Sequence, residues 1–80
     1  MSKIVVYSSN MCGTCEMVKS YLLLNNVNFI EKNISIDIDG RSELLEKGFD
    51  TTPVTMIGDI WISGFDTHEI DEALANTGQM

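Results

Sequence analysis

Hydrophobic and polar positions follow two periods along this chain, and each change of period marks an element boundary. Lys3 to Tyr7 is apolar and β-branched almost throughout, which predicts a strand buried on both faces. Met17, Val18, Tyr21 and Leu22 then recur at helical spacing, which predicts a helix over 14–25 with all four in the core. Asn25-Asn26 is its stop, because Asn tolerates the left-handed backbone that ends helices. Phe29 to Ile34 is a second strand of less regular pattern, and 35–40 reads as either strand or loop. Asp39 is placed to cap a second helix over 40–47, with Leu44 and Leu45 buried and Gly48 as the stop. Val54–Ile57 and Ile60–Ile62 are two strands joined at Gly58-Asp59 by a tight hairpin. Beyond Ser63-Gly64-Phe65, Asp66 and Glu69 form a capping box. The helix they start, over 67–76, buries Ile70, Ala73 and Leu74 and ends near Gly78.

The order is β-α-β-α-β-β-α. A crossover followed by a hairpin implies an α/β fold with a four-stranded mixed sheet flanked by three helices. Eighty residues without linkers or repeats make one domain, 1–80, expected to be a monomer. No apolar run approaches membrane length and the N-terminus lacks a charged-then-apolar pattern, so the expectation is a cytoplasmic protein with no membrane partner. The net charge is −7, and residues 50–80 hold six acids and no base. That balance excludes nucleic acid, whose phosphates need clustered Lys and Arg, and reads first as solubility.

Chemistry concentrates in Met11-Cys12-Gly13-Thr14-Cys15, which holds both cysteines of the chain at the turn from strand to helix. Two cysteines three apart close too short a loop to staple a fold. As a zinc half-site the pair lacks partners, since His68 is the only histidine and lies far along the chain. A pair of merely buried cysteines is a third reading. The strand-turn-helix context favours a thioredoxin-like redox motif. Cys12 falls at the helix N-terminus, where unpaired N–H groups and the helix dipole favour a thiolate. Cys12 is therefore the nucleophile toward a disulfide, and Cys15, one turn later and more sheltered, is the resolving thiol. Gly13 permits close backbone approach, and Thr14 either donates a hydrogen bond or simply begins the helix. Pro53, the only proline, reads from sequence alone as a trans strand-start residue. His68 reads as a surface residue rather than a base, and Trp61 as core or groove wall.

Cys12-Gly13-Thr14-Cys15, Thr52-Pro53-Val54 and Ser63-Gly64-Phe65-Asp66, in that order and spacing, resemble the glutaredoxins. Among these the chain looks most like NrdH-redoxins and small phage or bacterial glutaredoxin-like proteins, a likeness that Lys47-Gly48-Phe49 and Gly58-Asp59 extend. The resemblance implies a thioredoxin-like fold, a cis Thr52-Pro53 bond and no tightly bound cofactor. It implies a thiol-disulfide oxidoreductase acting through Cys12 and Cys15. Met11, Gly13, Thr14, Thr52, Pro53, Val54, Gly64, Phe65 and Asp66 would line its substrate or glutathione groove. The implied partners are a disulfide-containing client protein, ribonucleotide reductase among them, and either glutathione or thioredoxin reductase as electron source. Glutathione-binding members usually carry a basic residue shortly before the first cysteine, where Ser8-Ser9-Asn10-Met11 has none. NrdH members usually have Trp directly before Ser-Gly-Phe, where Ile62 stands with Trp61 one place earlier. The alternative is an iron–sulfur or metal-binding glutaredoxin-like module.

Overall fold

The chain threads its seven elements in the predicted order, and the computed structural model describes residues 3–76. Strands β1 (Ile4–Ser8), β2 (Ile30–Asn33), β3 (Val54–Ile57) and β4 (Ile60–Ser63) form one sheet in the order β2-β1-β3-β4. β1 runs parallel to β2 and antiparallel to β3, and β3 runs antiparallel to β4, so the sheet is mixed. Helices α1 (Gly13–Leu24) and α3 (Thr67–Asn76) cover one face, and α2 (Ile38–Glu46) lies on the other.

β1 is central and every residue of it is buried, as its unbroken apolar run requires. The pleat divides it. Ile4 and Val6 join Val18, Leu22, Ile57, Ile70 and Leu74 in the larger core. Val5 and Tyr7 join Leu44 and Val54 in the smaller one, with Phe49 and Trp61 packed against it. Trp61 stacks on Tyr7 at 5.6 Å and on Phe49 at 6.0 Å between ring centroids, so it forms part of the wall on the α2 side.

Both helix stops are where the sequence places them. Asn26 takes φ 58°, and the N–H of Val27 donates to the Leu22 carbonyl at 2.9 Å. Gly48 takes φ 88°, and the N–H of Phe49 donates to the Leu44 carbonyl at 3.1 Å. These are the six-to-one bonds of a Schellman end, with an apolar contact closing each. The start of α2 differs from expectation. Asp37, not Asp39, is the cap: its carboxylate accepts from the Gly40 N–H at 2.9 Å. Asp39 lies in the first helical turn, so the ambiguous 35–40 stretch is a turn that becomes helix.

Two expected core residues are exposed instead. Leu45 follows Leu44, and Met17 precedes Val18. Neighbours on a helix point about 100° apart, so only one of each pair faces the sheet. Tyr21 is half-buried at the edge of the larger core. At the β3–β4 hairpin Gly58 takes φ 61°, as a two-residue turn needs. Asp66 caps α3 by accepting from the Glu69 N–H at 3.1 Å, and Ile70, Ala73 and Leu74 are buried. The expected stop at Gly78 lies outside the described residues.

Candidate active site

Cys12 is the N-cap of α1, with extended backbone (φ −107°, ψ 103°), and its Sγ accepts from the Cys15 N–H at 3.1 Å. A sulfur therefore occupies the place that a Ser or Asp oxygen takes at other helix starts. Cys15, the third residue of the helix, is fully buried, while Cys12 is half-exposed and Gly13 and Thr14 are exposed. The two sulfurs are joined as a disulfide across Cα atoms 5.3 Å apart.

The groups around Cys12 come from three separate stretches. Thr14 brings its hydroxyl to 3.6 Å from the Cys12 sulfur. Thr52, entering the cis peptide bond to Pro53, brings its hydroxyl to 3.9 Å on another side. Thr52 is held by a 2.7 Å hydrogen bond with the Ser9 hydroxyl. The trans reading of Pro53 from the residues alone is thus corrected, and the resemblance had the isomer right. Beyond the proline, the Gly64 N–H donates to the Pro53 carbonyl at 2.8 Å, and Gly64 takes φ 81° with open space where a Cβ would stand. This bond ties the Ser63-Gly64-Phe65 turn to the proline loop. Val54 is different. Its side chain is fully buried against the α2 side, so it offers no open wall.

Met11 stands in left-handed backbone (φ 57°) with its side chain fully exposed beside Cys12. Such a conformation is uncommon away from glycine. Phe65 is partly exposed and meets the edge of Tyr21, their centroids 6.1 Å apart. Asp66 is occupied as the α3 cap. His68 is exposed and turned to Glu72 in its own helix, Nε2 to Oε1 at 3.4 Å, as the surface reading expects.

The sequence reading missed an ionic cluster beside the cysteine. Cys12, Glu16, Lys19 and Glu31 border one surface hollow of about 530 Å³. Lys19 bridges Glu16 at 2.6 Å and Glu31 at 2.9 Å. Glu31 also accepts from the buried Ser8 hydroxyl at 2.7 Å. Hydrogen bonding to Glu16 and then Glu31 raises the Lys19 pKa, and Lys19 and then Ser8 hold the Glu31 carboxyl below its ordinary value. The Glu16–Lys19 spacing is a visible helical pair, but Glu31 joins only through the fold. Among the described residues, no three His, Cys, Asp or Glu side chains are grouped to hold a metal, and no helix is long and apolar enough to cross a membrane.

The glutaredoxin family model matches residues 4–62, a span that takes in the cysteine pair, the cis-proline and three strands. The chain belongs to the glutaredoxin family. It is 36% identical over 67 residues to the glutaredoxin-like protein NrdH of Lactococcus lactis, covering 84% of this chain and 93% of that protein. Over 73 residues it is 33% identical to a glutaredoxin-like 8.6 kDa protein of Clostridium pasteurianum, covering 89% of this chain and 96% of that one. It superposes on the NrdH-redoxin of Escherichia coli with a TM-score of 0.81 at 27% identity, covering 88% of this chain and 92% of the other. The fold is therefore thioredoxin-like, and the protein is a glutaredoxin-type thiol-disulfide oxidoreductase carrying a Cys12–Cys15 pair.

Proposed function

We propose that this glutaredoxin is an NrdH-type electron carrier that takes electrons from thioredoxin reductase and reduces disulfides of client proteins, ribonucleotide reductase among them. It works as one domain, a cytoplasmic monomer, in a reducing compartment where a lone cysteine pair is catalytic rather than structural. The reading over glutathione rests on the cluster beside Cys12. Its one cation, Lys19, is already bound to Glu16 and Glu31. Glutathione carries two carboxylates against one ammonium, and this hollow, which shares Met11, Cys12 and Gly13 with the groove, meets its net negative charge with surplus negative charge of its own. The thioredoxin-like activity profile named for the Escherichia coli NrdH-redoxin points the same way.

Cys12 is the nucleophile. It is the more open sulfur and receives the Cys15 N–H at the positive end of α1. Its thiolate attacks one sulfur of the client disulfide, forming a mixed disulfide and releasing the other client sulfur as thiolate. Cys15 gives up its proton and attacks the Cys12 sulfur, releasing the second client thiolate. The two electrons have then moved to the client, and the chain is left in the disulfide form described above. Met11, Gly13 and Thr14 on one side, and Thr52, Pro53, Gly64 and Phe65 on the other, form the groove. Val54 and Asp66 support it, one as buried sheet and the other as helix cap.

The test supplies NADPH with either thioredoxin reductase or glutathione plus glutathione reductase. Fast reduction by the first and slow reduction by the second is expected, and the reverse overturns the assignment of reductant. Cys12→Ser abolishes disulfide reduction, while Cys15→Ser accumulates a mixed disulfide seen by mass spectrometry. An active Cys12→Ser variant would remove Cys12 from the role of nucleophile.

A further inference from the structure

On the α2 side of the sheet, away from α1 and the dithiol, an open cleft of about 570 Å³ runs between α2 and all four strands. Three of the chain's five basic side chains line it: Lys3, Lys32 and Lys47. Its apolar wall is made of Tyr7, Trp61 and the thioether of Met56. Glu43 and Glu46 also reach it. Glu43 is committed, since it receives the Lys32 ammonium at 2.7 Å and the Tyr7 hydroxyl at 3.0 Å. Lys47 lies 5.6 Å from the Trp61 ring centroid, and among the described residues neither it nor Lys3 forms an ion pair with a carboxylate, although the Lys3 charge acts on Glu43 at longer range. A chain of net charge −7 therefore turns a local excess of positive charge, three ammonium groups against two carboxylates, toward the half-buried side chains of Trp61 and Met56, with Tyr7 buried behind them.

We propose that this cleft is a second binding site, separate from the dithiol centre, for a small organic anion that carries a flat aromatic ring, of the size of a nucleoside monophosphate. The volume falls within the range of small-molecule sites. The part of the indole left open beside Tyr7 and Phe49, and the half-buried Met56 thioether, favour a flat partner. Two ammonium groups outside any close ion pair favour a phosphate or carboxylate on the same ligand. None of the cleft residues borders the hollow beside Cys12.

The probe is AMP, titrated into the oxidised full-length protein and followed by the indole N–H resonance of Trp61, the only tryptophan. Saturable binding is expected, weakened at least about five-fold by Lys3→Gln and by Lys47→Gln. Arg41→Gln removes one positive charge outside the cleft and shifts the Kd by less than about two-fold. Adenosine and inorganic phosphate each bind more weakly than AMP. The proposal is overturned by no saturation up to about 10 mM AMP. It is equally overturned by equal losses in all three variants, or by phosphate alone binding as tightly as AMP.

Discussion

Among single residues, the Cys12 sulfur is defined by what donates to it. One backbone N–H comes from its own helix turn, and two hydroxyls approach it, one from Thr14 and one from Thr52, forty positions away. The Lys19 bridge offsets one of the two negative charges of Glu16 and Glu31 at the same hollow. Lys19→Gln leaves both carboxylates without their cation there, so the Cys12 thiolate is expected to form at a higher pH in the variant than in the parent. Titrating thiolate absorbance in the reduced variant and parent measures this, and an unchanged curve removes Lys19 from the site's electrostatics. Thr55 is a contrasting residue. It is fully buried on β3 and its hydroxyl has no hydrogen-bond partner. Replacing an unpaired buried hydroxyl by a methyl of the same shape removes a desolvation cost. Thr55→Val is therefore expected to stabilise the protein by about 1 kcal/mol, read as a higher denaturant midpoint at unchanged slope.

At the level of elements, caps and neighbours explain which residues were readable. Asn26, Gly48 and Asp66 are local signals, since each acts on backbone within a few residues. The choice between Asp37 and Asp39 as cap was not local. A Cβ at Gly40 would stand 3.2 Å from the Asp37 carboxyl and 3.3 Å from the Lys32 side chain, so the cap and β2 together crowd the start of α2. Asp37→Ala should cost about 1 kcal/mol and Asp39→Ala clearly less, as chemical denaturation would show. Equal costs would return the cap to Asp39. The same limit applies to Leu44-Leu45 and Met17-Val18. Hydropathy marks both members of each pair, but only the direction of the sheet decides which one it covers.

Over the whole molecule, charge and pH come into play. Glu43, paired first with Lys32 and then Tyr7, and Glu31 both have carboxyl pKa values held below the ordinary range. Their contribution to stability is present above the unfolded carboxylate pKa of about 4.5 and is lost as pH falls through the folded values. At the other end Tyr7 is raised to about 12, by burial first and then by its bond to Glu43. Folding favours its protonated form, so that contribution is complete below about pH 10 and is lost as pH rises toward 12. Stability against pH should therefore show a plateau that falls on both sides. Tyr7→Phe should flatten the alkaline fall, and thermal melts across pH would record it. An alkaline limb identical to the parent's would assign that fall to other groups.

The sequence alone determined the alternation of strands and helices, the stops of α1 and α2, and a cysteine at the mouth of α1. Each of these depends on side-chain period or on backbone preferences within one turn, which the chain carries with it. The residues themselves pointed to redox chemistry at Cys12 and Cys15, and resemblance to a family supplied the proline isomer. Only the tertiary structure decided that Thr52 and Ser9 meet beside Cys12, that Lys19 joins Glu31, and that Trp61 stacks between Tyr7 and Phe49. Those contacts join residues far apart in the chain, and their geometry exists only once the strands have paired in register and the helices have chosen their faces.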